Sequence, residues 1–181
     1  MVEPFEEADY WVFGYGSLMW RPGFEYLRSE RGILKGWHRD MCVQSIHYRG
    51  TKEVPGLVCG LKIGGACSGQ VFNILRKDMQ AVISYLDERE LVTNVYSVKH
   101  LPVTLQGGSE VIARVYVADE CHEQFAGNWS DDKKARHIQD GIGTEGRSLQ
   151  YLSYIIEELN TLKVVDESLR AILALAMKNK D

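Results

Sequence analysis

Hydrophobic positions in the first two thirds of the chain fall in short runs rich in β-branched and aromatic residues, which is the pattern of β-strands. Glycines bound several of these runs and mark turns. The Gly64-Gly65 pair separates two neighbouring runs, which we therefore predict to form a hairpin. The predicted strands are residues 10–13, 56–63, 70–75, 95–98, 102–105 and 111–117.

One segment among these strands has helical periodicity. In residues 76–90, Met79, Val82, Ile83 and Leu86 repeat at the spacing of a single buried helix face. This spacing predicts one helix that packs against the sheet.

The last third of the chain is predicted to be helical. Ser130 can cap a helix that ends at Gly141, and a loop through Gly143 and Gly146 leads to a second helix. Asp166 begins a third. With the strands, these helices predict one α+β domain over residues 1–181, built as a mainly antiparallel, barrel-like sheet with helices to one side.

Glu90 has an unusual position in the first helix. At about 100° per residue it falls close to Met79, on the apolar face, whereas Glu88 falls on the opposite, solvent-facing side. Burial raises the pKa of a carboxyl group and suits it to proton transfer near neutral pH. Glu90 is therefore a candidate acid/base, although it could also end the helix or pair with an arginine.

A glycine-punctuated turn follows the first strand, in the segment Phe13-Gly14-Tyr15-Gly16-Ser17-Leu18. Without Cβ atoms at its two glycines, this turn can point backbone N–H groups at an anion. It lacks the third glycine and the βαβ context of a dinucleotide-binding loop. The segment predicts either an anion-binding loop or an ordinary glycine turn.

Two further residues are candidate ligand contacts. Arg49 lies in a loop before a strand, and its planar guanidinium matches a carboxylate. Tyr151 begins a helix after a glycine- and serine-containing loop and could donate a hydrogen bond to a ligand. Each also has an ordinary interpretation, as a solvated arginine and a packing tyrosine.

Composition and charge narrow the possible partners. The net charge of −4 argues against nucleic acid or an anionic membrane as the main partner. No apolar stretch is long enough to span a bilayer, and the acidic start, MVEPFEEADY, has no signal-peptide pattern. We expect a cytoplasmic protein, without nucleic-acid or membrane partners, that is a monomer or a weak dimer.

The four cysteines do not indicate a metal site or a disulfide framework. None of them forms a C-x-x-C pair, and no histidine lies at zinc-site spacing from two of them. Cys42 and Cys59 lie within apolar runs, where reduced core cysteines are expected. We therefore predict no metal site.

Four motifs, in order along the chain, resemble those of the ChaC-type γ-glutamylcyclotransferases. The segment 12–20, VFGYGSLMW, and the segment 85–90, YLDERE, are similar to the two specific signatures of the family. Residues 45–50, SIHYRG, and 146–152, GRSLQYL, resemble two supporting ones. Ser148 stands where the family usually has asparagine, and residues 91–96 replace a shorter Gly-Gly-Tyr of some members, as in the bacterial branch.

The resemblance implies a γ-glutamylcyclotransferase-like barrel fold, glutathione as the substrate and no cofactor. It implies that Glu90, the last residue of its motif, is the catalytic residue. It also implies that the turn after the first strand holds the γ-glutamyl group. With Arg49 and Tyr151, the expected substrate-binding residues are Val12, Phe13, Gly14, Tyr15, Gly16, Ser17 and Leu18.

In the expected reaction, the α-amine of the γ-glutamyl group attacks its own γ-carbonyl and releases 5-oxoproline and Cys-Gly. Glu90 would take the ammonium proton and give it to the departing nitrogen. Amides of Gly16 to Leu18 would bind either the α-carboxylate or the oxyanion. The alternatives are a cyclotransferase for other γ-glutamyl compounds, a non-catalytic binding module of the same fold, and a thiol hydrolase using Cys42 or Cys121.

Overall fold

A computed structural model describes residues 10–178 of the protein. Its main feature is a closed five-stranded β-barrel with the strand order β1-β3-β2-β4-β5. The strands are β1 Tyr10–Gly14, β2 Arg28–Ser45, β3 Gly56–Ile74, β4 Tyr96–Leu105 and β5 Glu110–Ala118. Neighbours are antiparallel except β1 and β5, whose parallel pairing closes the barrel. The α+β fold with a mixed, mainly antiparallel barrel and flanking helices is therefore confirmed.

The predicted hairpin at Gly64-Gly65 is wrong. Residues 56–74 form one continuous strand of 19 residues, and β2 is its partner on both sides of the glycines. Gly64 and Gly65 have positive φ angles, as does Gly36 across from them, and the register shifts between Lys35 and Trp37. The glycines thus make a bulge that bends two paired strands instead of reversing the chain.

The sequence pattern did not predict β2. Residues 28–40 are largely polar or partly exposed, with Arg31, Lys35 and His38 among them, and the apolar run around Cys42 is too short to indicate a strand of 18 residues. Cross-strand pairing with β3 holds it in place. The predicted strands 95–98 and 102–105 also join into the single strand β4, which pairs along its length with β5.

Residues 10–178 contain four α-helices: α1 Met79–Glu90, α2 Asp131–Asp140, α3 Ser148–Thr161 and α4 Glu167–Lys178. A 3₁₀ turn over 76–78 precedes α1. The predicted caps are confirmed for Ser130, whose Oγ accepts from the Lys133 amide, and for Asp166, whose Oδ1 accepts from the Leu169 amide. Short strands β6 Ile142–Gly143 and β7 Gly146–Arg147 form a small ribbon before α3, where a loop was expected.

The four helices pack on two apolar clusters of the barrel. Helices α2, α3 and α4 pack on the main core, which includes Phe13, Leu61 and Leu152. Helix α1 packs on a smaller cluster through Val82 and Leu86.

The prediction about a signal peptide falls on residues 1–9, outside the described residues. Among residues 10–178, no helix has the length and apolar character needed to cross a membrane. The organisation of residues 1–181 as one domain stays a prediction.

Candidate active site

A cavity of about 310 Å³ opens at one end of the barrel. This volume lies at the lower end of the range for small-molecule sites. Its wall comes from the turn after β1, the end of α1, the loops after β2 and α1, and the start of α3. Predicted site residues that line it are Phe13, Tyr15, Gly16, Ser17, Leu18, Arg49, Glu90 and Tyr151.

Two of the predicted residues lie outside this lining. The Val12 side chain is fully buried and packs in the α1 cluster, on the other side of the strand. A Cβ at Gly14 would be 2.9 Å from the Leu18 Cβ, so this glycine lets the turn fold closely onto β1. Neither residue therefore contributes a side chain to the cavity wall.

The turn after β1 is held from three directions. The Tyr15 hydroxyl donates to the Tyr116 carbonyl at 2.7 Å, and Arg39 Nε donates to the Tyr15 carbonyl at 2.6 Å. The Met19 amide closes a 3₁₀ turn on the Gly16 carbonyl. Within residues 10–178, no backbone carbonyl accepts from the amides of residues 16–18. These amides are available to a ligand anion.

Gly16 is required where it stands because Tyr151 approaches its backbone. A Cβ at this position would lie 2.8 Å from the Tyr151 hydroxyl. That hydroxyl accepts from the Cys59 amide at 3.2 Å. Burial raises the pKa of Tyr151 well above its ordinary value, so the hydroxyl keeps its proton. No acceptor among the described residues takes this proton, which leaves it for a ligand.

Glu90 is the last residue of α1 and lies in the pocket wall. Its side chain is 21% exposed, and its Oε1 lies 3.3 Å from Arg89 Nε. Burial raises the pKa of the carboxyl group, and the positive charge of Arg89 opposes this only in part. Glu88 is exposed, as predicted. A desolvated carboxylate at a cavity wall is the arrangement expected for a general acid/base.

Arg89 joins the turn to the end of α1. Its Nη2 donates to Ser17 Oγ at 2.7 Å, while its Nη1 donates to the Arg21 carbonyl at 2.8 Å and to the Tyr85 hydroxyl at 3.0 Å. Its Nε faces Glu90. One guanidinium therefore fixes the acid/base candidate beside the turn with the free amides.

Asp87, in the same YLDERE motif as Arg89 and Glu90, anchors α1 to the barrel. Asp87 Oδ1 accepts from Arg114 Nη2 at 2.5 Å and from the Tyr116 hydroxyl at 2.6 Å. The Tyr116 carbonyl is the acceptor for Tyr15. Asp87 and Arg89 of the YLDERE segment thus support the turn after β1 from two sides. This shared task explains why both lie within one turn of α1.

Arg49 is buried and lies over the ring of Tyr151, with its guanidinium carbon 5.4 Å from the ring centroid. Its amide donates to Ser45 Oγ at 2.9 Å, which folds the loop after β2 back on itself. Ser148 joins the same region to α3, since its hydroxyl donates to the Leu57 carbonyl and accepts from the Leu57 amide. The serine that replaces the usual asparagine is therefore fully used within the fold.

Besides Arg89 and Tyr116, described above, sequence reasoning missed further residues of this site. Arg39 lies in the unpredicted strand β2 and reaches the turn from inside the barrel. Tyr96 lines the cavity and donates its hydroxyl to the Cys59 carbonyl at 2.5 Å. Cys59 appeared as a core cysteine, but it also lines the pocket. Only Arg39 had a sequence signal, as a basic residue beside an apolar run.

The thiol-hydrolase alternative has no support in this geometry. Burial raises the pKa of Cys42 to about 12, and Cys121 is exposed outside the cavity lining. A nucleophilic cysteine needs a lowered pKa. Over the described part of the chain, no group of three or more His, Cys, Asp or Glu side chains is placed to hold a metal ion.

The cavity in the barrel thus combines a desolvated carboxylate with amides that have no backbone acceptor in the described part of the chain. The model of the ChaC-like protein family matches residues 10–179. The chain belongs to this family.

Individual relatives agree with the family match. The chain is 32% identical over 173 residues to a protein of Escherichia coli named glutathione-specific gamma-glutamylcyclotransferase, covering 96% of this chain and 75% of that one. It is 30% identical over 169 residues to the human glutathione-specific gamma-glutamylcyclotransferase 1, covering 90% and 76%.

A solved structure has the same fold. The crystal structure of a yeast γ-glutamylcyclotransferase specific to glutathione superposes with a TM-score of 0.86, at 23% identity, over 96% of this chain and all of that one. The γ-glutamylcyclotransferase-like fold expected from the sequence is thereby confirmed.

Proposed function

We propose that this protein is a glutathione-specific γ-glutamylcyclotransferase in which Glu90 is the general acid/base. The observation that carries the proposal is Glu90 itself, a carboxyl group with a raised pKa in the wall of the cavity, beside a turn with unpaired amides. The names of the relatives support the choice of glutathione. A pure binding module would have no use for a desolvated carboxylate beside its ligand.

The first contribution of the enzyme is orientation. The turn at 16–18 would hold the γ-glutamyl group with its α-amine folded back toward its own γ-carbonyl carbon. Aligning two reacting groups in this way contributes about 7–11 kcal/mol to lowering a barrier. The rigid support of the turn by Arg39, Arg89 and Tyr116 fits this task.

The second contribution is proton transfer between the attacking and the leaving nitrogen. Glu90 takes a proton from the substrate ammonium group, and the freed amine attacks the γ-carbonyl to form the new ring C–N bond. Glu90 returns this proton to the cysteinyl nitrogen, whose bond to the γ-carbon breaks as the tetrahedral intermediate collapses. The ring nitrogen loses its second proton to Glu90, which passes it to the departing amine, so that 5-oxoproline forms as the lactam and Cys-Gly leaves as its ammonium form. The products are 5-oxoproline and Cys-Gly. General acid/base catalysis of this kind contributes roughly 10²–10⁴-fold.

The proposal is tested by incubating the purified protein with reduced glutathione, without added cofactor. We expect 5-oxoproline and Cys-Gly to appear in equal amounts by mass spectrometry. Formation of 5-oxoproline from γ-glutamyl-alanine but not from glutathione would change the substrate and keep the chemistry. Failure with both substrates would favour the non-catalytic binding module.

We expect Gly16→Ala to lower kcat/KM about 10- to 100-fold, because displacement of the turn by an ångström has effects of this size. The added methyl group would meet the Tyr151 hydroxyl at 2.8 Å. Gly107→Ala is the matched control, since a Cβ there meets nothing within 4 Å. Equal activity of the two variants would argue against substrate binding by the turn.

Two expectations stay predictions within this proposal. A cytosolic site of action is tested by fractionating cells that express the protein. The monomer or weak dimer is tested by analytical ultracentrifugation across a range of protein concentrations.

A further inference from the structure

Arg49 carries a buried positive charge without a charged partner. Its residue exposure is 7%, yet its guanidinium makes one long hydrogen bond, from Nη1 to the Arg147 carbonyl at 3.4 Å. Within residues 10–178, no carboxylate oxygen lies within 4 Å of it. A buried, incompletely bonded charge is costly unless a partner arrives from outside the chain. Because Arg49 lines the cavity, that partner is a ligand anion.

The nearby carboxylate of the chain is already used. Glu145 pairs with Arg21 at 2.7 Å on the rim of the pocket, where both side chains are well exposed. Burial lowers the pKa of the Arg49 guanidinium, and the ring of Tyr151 beneath it and the more distant Glu145 offset this only in part. The N–H donors of the planar Arg49 guanidinium are thus available to a planar anion such as a carboxylate.

Glutathione has two carboxylates, and the position of Glu90 indicates which of them Arg49 can bind. The α-carboxylate shares a carbon with the α-amine, so it must lie close to Glu90 when Glu90 accepts the amine proton. Among the described residues, Arg89 is the one cation within 4 Å of a Glu90 carboxylate oxygen, so Arg49 lies farther from Glu90 than this. The glycine carboxylate lies at the end of two residues beyond the scissile bond, a span of up to about 7 Å.

We propose that Arg49 binds the C-terminal glycine carboxylate and thereby selects a tripeptide-length substrate. This inference rests on the proposed function. The α-carboxylate then belongs to the amides of the turn at 16–18, which Arg89 holds next to Glu90. Arg49 acts on the leaving half of the substrate and takes no part in proton transfer.

The test compares glutathione with its glycine amide, which has the same scissile bond and no terminal charge. Both are assayed by 5-oxoproline formation with the wild-type protein, Arg49→Met and Arg49→Lys. We expect the wild type to prefer glutathione by about 10- to 100-fold in kcat/KM, the range for a hydrogen-bonded charge pair. In Arg49→Met the preference should fall to near one, and in Arg49→Lys to an intermediate value.

Four other results would contradict the inference or the function on which it rests. An absence of preference in the wild type overturns it without any variant. Equal losses on both substrates in Arg49→Met, with the preference kept, would assign Arg49 to the α-carboxylate. If Arg49→Met does not fold, an unchanged preference in a folded Arg49→Lys overturns the inference. If the wild type converts neither compound, the proposed function fails first.

Discussion

Glu90→Gln should lower kcat for 5-oxoproline formation by about 10²–10⁴-fold, which is the usual contribution of a general acid/base. Glutamine keeps the shape of the side chain in the pocket wall but can neither accept the ammonium proton nor return it. Because the glutathione-binding groups are untouched, KM should change little. The measurement is steady-state turnover with product detection by mass spectrometry.

Glu88→Gln is the matched control, since Glu88 lies two residues away on the same helix and is exposed. It should keep nearly full activity. Retention of more than a tenth of wild-type turnover by Glu90→Gln would remove Glu90 from the catalytic role. A large loss in Glu88→Gln would mean that α1 affects activity through its folding.

Glu90→Gln should also stabilise the folded protein near neutral pH. Because burial raises the pKa of Glu90, the folded state keeps the proton at pH values where the unfolded state has lost it. The stability of the wild type therefore falls as pH rises from about 4.3 through the raised pKa. Glutamine has no such titration, so the melting temperature of Glu90→Gln should exceed that of the wild type at pH 7 and match it near pH 4.

This combination separates a catalytic role from a structural one. Loss of turnover together with higher stability is the expected sign of a group kept in an unfavourable environment for its function. A melting temperature that falls at pH 7 would instead show that Glu90 and Arg89 stabilise the fold as an ion pair.

Arg39→Met should reduce the free energy of unfolding by about 2–4 kcal/mol, because two carbonyls inside the fold lose their donor. Arg39 donates to the Tyr15 and Ser68 carbonyls, both at 2.6 Å, and its Nη1 lies 3.6 Å from Asp166 Oδ2. For a chain of this size, the melting temperature should fall by roughly 5–15 °C. Thermal unfolding followed by circular dichroism measures this.

Loss of the Arg39 hydrogen bonds should also change the KM for glutathione. With the Tyr15 carbonyl released, the turn at 16–18 is less ordered, so KM for glutathione should rise even at temperatures where the variant is folded. Arg136→Met is the control, since Arg136 is exposed on α2 and should change stability by less than about 0.5 kcal/mol. Equal effects of the two substitutions would contradict the role of Arg39.

Local sequence determined the helices and the placement of Glu90. Helical periodicity and caps depend on residues within one or two turns, so Val82, Leu86, Ser130 and Asp166 could be interpreted without knowing the fold. The orientation of Glu90 relative to Glu88 follows from the same periodicity. The glycine turn could be located but not oriented, because its supports lie far away in the chain.

Tertiary structure decided how the strands pair and what completes the pocket. Strand β2 forms because β3 and β4 pair with it, although its own residues have no strand pattern, and β3 is continuous because β2 follows it past Gly64. Tyr151 reaches the Cys59 amide across 92 positions in the sequence. The unpaired charge of Arg49 also depends on which carboxylates the fold brings near it. Such properties arise from contacts between distant segments, whereas periodicity and caps are fixed by neighbours along the chain.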